Sequence, residues 1–227
     1  KNFSGTIMLD IEGDLDISGF FVYLDPAQGG MYNAENLKKI AQQYTKAIKA
    51  TKEYYPNAKV TAYAIGGAGA YTGQPQPTTM ASYQMAANEG MFDAMDLLVV
   101  GTYPVWSPND GEIKFNMGLN YLTAQMLIAK NINNNMVAEP KQVLPLFTPS
   151  YGNPATVDQH KCIPMPDMLK FVGKAKTMAL TKIAFWTAKK ELNDLLQCPA
   201  TMVDYTSNLL TALEASQQAN PQQAGGN

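Results

Sequence analysis

The stretch Thr6-Ile7-Met8-Leu9-Asp10-Ile11-Glu12-Gly13 decides the predicted fold. Ile7 to Asp10 indicate the end of a buried strand, and the carboxylates of Asp10 and Glu12 lie two residues apart. Because residues two apart in a strand point to the same face, both carboxylates are expected to project the same way where the strand ends at Gly13. A buried parallel strand that ends in acids is where barrel enzymes place their chemistry.

Strands and helices are predicted to alternate along the rest of the chain. The five predicted strands start near residues 7, 60, 97, 143 and 182. The clearest helix begins after Asn33, which is a favourable N-cap, and its apolar stripe runs from Leu37 to Thr51 at helical spacing. Strands that alternate with helices predict a parallel sheet with right-handed crossovers.

Two α/β architectures fit these five units. One is an open, doubly wound five-stranded sheet, and the other is a (β/α)8 TIM-barrel-like fold of which only about five units are visible in this chain. Both place ligands at the carboxyl edge of the sheet. The apolar patch Phe20 to Leu24 predicts either a short extra strand or a loop lining a cleft. Pro145 argues against a central position for the fourth strand, because proline cannot donate to the ladder.

The composition predicts one globular domain and excludes several classes of function. The chain has 227 residues, of which 46% are apolar, and we predict a domain over residues 1–216 and a disordered low-complexity tail over 217–227. All 17 basic residues are lysines and the net charge is −2, so nucleic acid is not an expected partner. No apolar run reaches the roughly 18 residues of a membrane span.

Neither a cofactor nor a metal is expected. His160 is the only histidine, and a zinc site built from it with Cys162 and Cys198 would lack a fourth ligand. Gly66-Gly67-Ala68-Gly69 does not fit a phosphate-binding or dinucleotide fingerprint. The two cysteines are consistent with one disulfide or with two buried thiols.

The spacing of Asp10 and Glu12 suits the hydrolysis of a glycosidic bond. One carboxylic acid must stay protonated near neutrality to donate to the leaving oxygen, and a neighbouring carboxylate raises its pKa by repulsion. Glu12 is the longer side chain and lies farther along the chain, so it is the candidate acid, with Asp10 as its stabilising neighbour. The alternative is two solvated carboxylates in a loop.

The ends of the predicted strands together resemble the chitinase-like glycoside hydrolases of family 18. Asp10-Ile11-Glu12 looks like the last three positions of the Asp-x-Asp-x-Glu pattern that ends their fourth barrel strand. Thr102-Tyr103 is similar to the pair that ends their sixth strand, and Pro149-Ser150-Tyr151-Gly152 matches the Pro-x-Tyr-Gly segment of their seventh. Phe185-Trp186 looks like the end of their eighth strand, so the resemblance covers strands four to eight.

The resemblance implies substrate-assisted, retaining hydrolysis of a polysaccharide that contains N-acetylglucosamine. Glu12 would be the general acid, and Asp10 would orient the N-acetyl group that acts as the nucleophile. Tyr103 would hydrogen-bond that acetamido group, and Trp186 would stack under the sugar ring. Four further aromatic residues are either cleft residues or ordinary loop packing: Tyr63, Tyr71, Trp106 and Tyr151. Of these, we predict Tyr63, Trp106 and Tyr151 to bind substrate.

Departures from the family pattern keep other hypotheses open. The aspartate that precedes the Asp10 position in the family falls at Met8, and a still earlier family aspartate falls at Gly5. Pro104 replaces an aspartate after Tyr103. The chain could therefore be an inactive relative that binds glycan or builds an extracellular assembly. The acid pair is also similar to the Asp-x-Glu of family-25 lysozymes.

The open edges of an incomplete barrel predict a partner chain or an N-terminal segment that completes it. Lys1 is not an initiator methionine, so we expect a processed or incompletely represented N-terminus. The sequon Asn2-Phe3-Ser4, the cysteine pair and the implied carbohydrate substrate favour an extracellular location.

Overall fold

The computed structural model describes residues 2–11, 17–24, 31–66, 71–152, 157–159, 161–180, 182–186 and 201–218. The strands are β1 (Thr6–Leu9), β2 (Lys59–Ile65), β3 (Leu97–Gly101), β4 (Gln142–Phe147) and β5 (Ala184–Phe185). The helices are α1 (Ser18–Tyr23), α2 (Ala34–Tyr54), α3 (Pro77–Asn88), α4 (Met91–Ala94), α5 (Glu112–Asn135), α6 (Met165–Thr177) and α7 (Met202–Gln218). A 3-10 turn spans Pro108–Asp110.

The five strands form a curled half-barrel with helices between them. Their order in the sheet is β1-β2-β3-β4-β5, and every neighbouring pair is parallel. A doubly wound sheet reverses its strand order at a switch point, whereas this order never reverses. The structure therefore confirms the prediction of a TIM-barrel-like fold with five visible units. The alternative prediction of an open, doubly wound sheet is wrong.

The two faces of the sheet carry different groups of apolar residues. Leu98 and Val100 of β3 point outward into the main core, where they pack with residues of α2, α3 and α4. Leu97 and Val99 point inward and form a small cluster with Leu146 on the inner face. Since alternate strand residues face opposite sides, this pattern fixes which side chains line the inside of the half-barrel.

A second core covers the later part of the sheet. It packs side chains of α5, α6 and α7 against Phe147, the last residue of β4. Tyr205 of α7 is fully buried there, and its hydroxyl donates to the carbonyl of Ile163 at 3.0 Å. The loop that follows β4 is thereby held against α7.

The helix predicted after Asn33 is confirmed. The side chain of Asn33 accepts a hydrogen bond from the backbone N–H of Asn36 at 2.9 Å, which satisfies one unpaired donor of the first turn. Leu37, Ile40 and Ile48 are buried against the sheet, as their spacing predicts.

The prediction for Phe20 to Leu24 is wrong, because α1 contains Phe20 to Tyr23 and ends just before Leu24. Phe20 and Phe21 are adjacent and both buried, and Phe21 stacks on Tyr83 of α3 with ring centroids 3.9 Å apart. Tyr32 packs edge-on against Phe20 from another side. A strand would send adjacent side chains to opposite faces, whereas one helix turn buries both rings together.

The expectation for Pro145 is also wrong, because β4 lies between β3 and β5. The carbonyl of Leu146 accepts a hydrogen bond from the N–H of Thr102, and so points toward β3. Backbone groups of successive strand residues point to opposite sides, so those of Pro145 point toward β5. Pairing with β5 begins only at Leu146 and Ala184. The missing N–H of Pro145 therefore falls where the ladder has not yet begun.

The single described cysteine, Cys162, is disulfide-bonded. The sequence contains one other cysteine, Cys198, which lies outside the described residues. None of the described helices is both long enough and apolar enough to cross a membrane.

Candidate functional site

The carboxyl end of β1 carries Asp10. Its side chain is exposed, directly after the four residues of β1 that pair with β2. The buried Tyr44 of α2 donates its hydroxyl proton to the carbonyl of Ile11 at 3.1 Å, and so fixes the backbone just beyond Asp10. Glu12, the predicted acid, lies outside the described residues.

Three aromatic rings, which we call the aromatic row, lie side by side at the same edge of the sheet. The Tyr63 and Tyr103 rings have centroids 6.0 Å apart and planes inclined by 10°. The Tyr103 and Trp186 rings have centroids 6.2 Å apart and planes inclined by 19°. Such near-parallel, offset pairs are a favourable aromatic arrangement. The row therefore joins the ends of β2, β3 and β5 into one surface.

The sheet backbone positions the row. Tyr63 is paired with Val99, and the β2–β3 register shifts between Tyr63 and Ile65. The Tyr63 ring extends toward Gly101, where a Cβ atom would lie 2.5 Å from the Tyr63 hydroxyl oxygen. The backbone N–H of Trp186 donates to the carbonyl of Phe147 at 2.8 Å, which holds the other end of the row to β4.

Asp10 lies beside the row, because Leu9, the residue before it, pairs with Ala62, the residue before Tyr63. Burial raises the pKa of the Tyr103 phenol above its ordinary value. A side-chain hydrogen bond with Tyr63 lowers this pKa, whereas negative charge on Asp10 and on Tyr121 raises it further. Tyr103 therefore stays a neutral hydroxyl near neutral pH, able both to donate and to accept a hydrogen bond. The structure thus brings together three predicted site residues, Asp10, Tyr63 and Tyr103, with Trp186 at 39% exposure.

The positions at which family 18 carries further aspartates are apolar here. Met8 packs against the inner-face cluster of Leu97, Val99 and Leu146. Pro104 is buried, and its carbonyl accepts from the N–H of Gly152 at 3.1 Å. Neither Met8 nor Pro104 has a carboxyl group that could share a proton with Asp10.

Tyr151, a predicted substrate-binding residue, lies in the second core and not in the aromatic row. It is 1% exposed, and its ring packs edge-on against Phe171 of α6. Its hydroxyl donates to Asp167 at 3.3 Å. Burial and the Asp167 carboxylate raise the pKa of the Tyr151 phenol. The Pro-x-Tyr-Gly segment is therefore anchored by its tyrosine.

Trp106, the remaining predicted substrate-binding residue, lies in a second aromatic group. Its ring centroid is 5.1 Å from that of Tyr71, and the Tyr71 centroid is 5.7 Å from that of Tyr121. The sequence predicted no role in the site for Tyr44, Gly101 or Tyr121. Nothing in a linear sequence relates Gly101 to Tyr63 or Tyr121 to Tyr71, because each pair meets only when separate elements pack.

A polar cavity of about 300 Å³ lies between the loops that follow β3 and β4. Asp158 accepts from Lys161 and from Asn109, each at 2.8 Å, and so ties the two loops together. The hydrogen bond from Lys161, with one from Ser107, holds the pKa of the Asp158 carboxyl below its ordinary value. Within the described ranges, no three His, Cys, Asp or Glu side chains are grouped so as to hold a metal ion.

Comparisons with known proteins identify the fold. No protein-family model matches the chain, and no curated protein matches its sequence. Bee venom hyaluronidase in its monoclinic crystal form is 17% identical with a TM-score of 0.65, over 92% of this chain and 71% of the other. Bee venom hyaluronidase in complex with a hyaluronic acid tetramer is 17% identical with a TM-score of 0.60, over 85% of this chain and 64% of the other. The likeness shows a TIM-barrel fold of the kind found in these hydrolases.

Proposed function

We propose that the chain carries the active-site part of a glycoside hydrolase acting on polysaccharide that contains N-acetylglucosamine. The observation that supports this most is the meeting of Asp10 with the aromatic row at the carboxyl edge of a half-barrel. In TIM barrels this edge is where active sites lie. Both reported fold neighbours are structures of bee venom hyaluronidase, one of them in complex with a hyaluronic acid tetramer, and this supports a carbohydrate ligand here.

The proposed mechanism is substrate-assisted and retaining, as in family 18. Glu12 donates its proton to the glycosidic oxygen while the acetamido oxygen of the substrate attacks the anomeric carbon, and the leaving sugar departs as an alcohol. Water then opens the cyclic intermediate, with the Glu12 carboxylate taking the proton. Asp10 stabilises the positive charge that develops on the acetamido nitrogen, Tyr103 hydrogen-bonds this group, and Trp186 stacks under the ring.

We propose that further polypeptide completes the barrel. Among the described strands, β1 and β5 each pair with one neighbour, so each leaves an edge open for pairing. An N-terminal segment or a partner chain with three more strands would fill the gap between them. The disulfide at Cys162 supports our further proposal that the protein is extracellular, with residues 1–216 as its barrel domain.

A second candidate function is glycan binding without catalysis, as part of an extracellular assembly. It is favoured by Met8, which packs in an apolar cluster at the position where family 18 carries the aspartate next to Asp10. Asp10 therefore lacks the inner carboxyl with which its counterpart in family 18 shares a proton. The aromatic row would then hold sugar, and no bond would be cleaved.

Turnover of chitin oligomers and of hyaluronan, measured by the release of reducing ends, tests the proposal. We expect the wild-type protein to cleave at least one of them and Glu12→Gln to lose about 100-fold or more of the rate. The matched control is Glu53→Gln on the exposed face of α2, which should leave the rate unchanged. Equal rates for wild type and Glu12→Gln would overturn the proposal. Binding of oligomers without cleavage by the wild type would establish the second candidate.

A further inference from the structure

Three aromatic rings, which we call the amino-edge patch, lie at the edge of the sheet opposite the aromatic row. The patch consists of Phe3, Tyr54 and Tyr55. The Phe3 and Tyr55 rings meet edge to face with centroids 6.2 Å apart, and the Tyr55 and Tyr54 rings do so with centroids 4.7 Å apart. Phe3 precedes β1, and the two tyrosines lie where α2 ends, shortly before β2. The patch therefore lies beside the amino ends of two strands, away from the edge that carries Asp10.

The backbone holds the amino-edge patch in place. The N–H of Lys59 donates to the carbonyl of Gly5 at 3.0 Å, which ties the segment before β1 to the start of β2. The N–H of Ala58 donates to the carbonyl of Tyr55 at 3.0 Å, which closes the turn between α2 and β2. A Cβ atom at Gly5 would lie 2.6 Å from the tip of the Phe3 ring, so the absence of a side chain there leaves room for the ring. The Phe3 ring therefore has a defined position between Gly5 and Tyr55.

The amino-edge patch is open to solvent. Phe3 is 44% exposed and Tyr54 is 52% exposed, whereas Tyr55 between them is partly buried. Single exposed apolar residues are ordinary on a protein surface, but adjoining exposed rings mark a surface that another group covers. The identity of that group is indicated by the residue next to Phe3.

Asn2 begins the sequon Asn2-Phe3-Ser4, and no other Asn-x-Ser or Asn-x-Thr triplet occurs in the chain. All three residues are exposed, and they belong to neither a helix nor a strand. A glycosyltransferase must hold the whole triplet in its own active site, so a sequon is used only where it lies on irregular, accessible backbone. The structure places this sequon on backbone of that kind.

Two further observations agree with a glycan at this position. The disulfide at Cys162 indicates an oxidising compartment, which is where N-linked glycans are attached. Asn2 lies before the amino end of β1, whereas Asp10 follows its carboxyl end, so a glycan on Asn2 leaves the candidate site free.

We propose that Asn2 carries an N-linked glycan and that the first sugar units of this glycan cover the amino-edge patch. In the transfer, the side-chain nitrogen of Asn2 forms a bond to C1 of N-acetylglucosamine and loses one proton. The C1–O bond to the diphosphate of a lipid-linked oligosaccharide breaks, and the lipid diphosphate departs. Because consecutive Cα atoms lie about 3.8 Å apart, the glycan begins beside Phe3, where the C–H face of a sugar can pack on the ring.

Peptide mapping of the full chain secreted by eukaryotic cells tests the attachment site. Peptide-N-glycosidase in water labelled with heavy oxygen converts a glycosylated asparagine into a labelled aspartate, which mass spectrometry locates. We expect the label at Asn2 and none at Asn57, an exposed asparagine outside any sequon. Ser4→Ala should abolish the glycan, and Ser4→Thr should retain it. An unlabelled Asn2 would overturn the proposal and leave the proposed hydrolase site untouched.

Hydroxyl-radical footprinting of the glycosylated protein and of Ser4→Ala tests the cover. We expect oxidation of Phe3 and Tyr54 to be slower by at least about twofold in the glycosylated protein, because the sugars exclude solvent from both rings. Tyr71 is the internal control, since it is 40% exposed in the loop after β2 and should be oxidised equally in both proteins.

The two measurements separate the parts of the proposal. Equal oxidation of Phe3 and Tyr54 in a protein that carries the glycan would refute the cover and retain the attachment site. Protection of both rings in Ser4→Ala would assign the amino-edge patch to a protein partner, and would refute the cover as well.

Discussion

Gly101 and Tyr63 lie so close across the β2–β3 pair that a Cβ atom at Gly101 would come within 2.5 Å of the Tyr63 hydroxyl oxygen. The same hydroxyl is hydrogen-bonded to Tyr103. The absence of a side chain at Gly101 therefore sets the position of Tyr63 and, through it, the orientation of the Tyr103 hydroxyl. The aromatic row depends on this glycine.

Gly101→Ala should displace the Tyr63 ring. We expect a loss of about 1–3 kcal/mol in the free energy of unfolding and a weaker affinity for dimeric N-acetylglucosamine, because Tyr103 loses its hydrogen-bond partner. Chemical denaturation and titration calorimetry measure the two effects. Gly173→Ala on α6 is the control, because its new Cβ would have no atom from outside its own stretch of helix within 4 Å. A helical alanine there should stabilise the fold by about 0.5–1 kcal/mol. An unchanged dimer affinity in Gly101→Ala would show that Tyr63 does not position the site.

Tyr44→Phe should impair turnover more than binding. The Tyr44 hydroxyl donates to the Ile11 carbonyl, between the two predicted catalytic carboxylates of Asp10 and Glu12. Its removal should cost about 1 kcal/mol in the free energy of unfolding and lower kcat severalfold with KM nearly unchanged, since the sugar-binding rings stay in place. Steady-state kinetics on chitin oligomers check this. Tyr54→Phe on the exposed end of α2 serves as the control, and a rise in KM at constant kcat would contradict the positioning role.

Asp158 should make the stability of the protein depend on acid pH. Its pKa in the folded protein is held below the ordinary value of 3.8 by the hydrogen bond from Lys161. A carboxyl with a lowered folded pKa stabilises the fold above its unfolded pKa, and this stabilisation is lost as the pH falls through the folded value. Asp158→Asn should therefore lower the free energy of unfolding by about 1–2 kcal/mol at pH 7, and by progressively less below about pH 4.

Urea denaturation of wild type and Asp158→Asn at pH 7 and at pH 3 measures that difference. Glu53→Gln, an exposed change on α2, provides the comparison for the loss of one negative charge. The free energies of unfolding of wild type and Asp158→Asn could differ by the same amount at pH 7 and at pH 3. That result would mean that the ionised form of Asp158 contributes nothing to folding.

The sequence predicted the sheet and the edge at which the candidate site residues lie because both follow from local patterns. Short apolar runs separated by helices predict parallel strands, and the carboxyl ends of parallel strands meet at one edge. For that reason Asp10, Tyr103 and Trp186, which are far apart in the chain, could be placed together before the structure was known. The prediction that Pro145 excludes a central strand was wrong, because the cost of its missing N–H depends on where β5 begins. Only the β4–β5 register shows that point.

Other features of the site depend on tertiary packing, which single-sequence patterns do not encode. A five-residue apolar run such as Phe20 to Leu24 has no periodicity that separates a strand from a helix. Tyr151, a predicted substrate-binding residue, is buried by Phe171 of α6 and borders the polar cavity between the loops after β3 and β4, and the sequence shows neither contact. The rings of Tyr71 and Tyr121 pack together although the two residues lie 50 positions apart in the sequence, and no spacing rule relates them.

The central claim, substrate-assisted hydrolysis at the Asp10 edge of the half-barrel, is tested most directly by the anomeric configuration of the first product. Proton NMR spectra recorded during the first minutes of cleavage of a β-linked N-acetylglucosamine hexamer show which anomer is released. The account predicts that the new reducing end appears as the β anomer, with no product from Glu12→Gln. Release of the α anomer, or no cleavage by the wild-type protein, would contradict it.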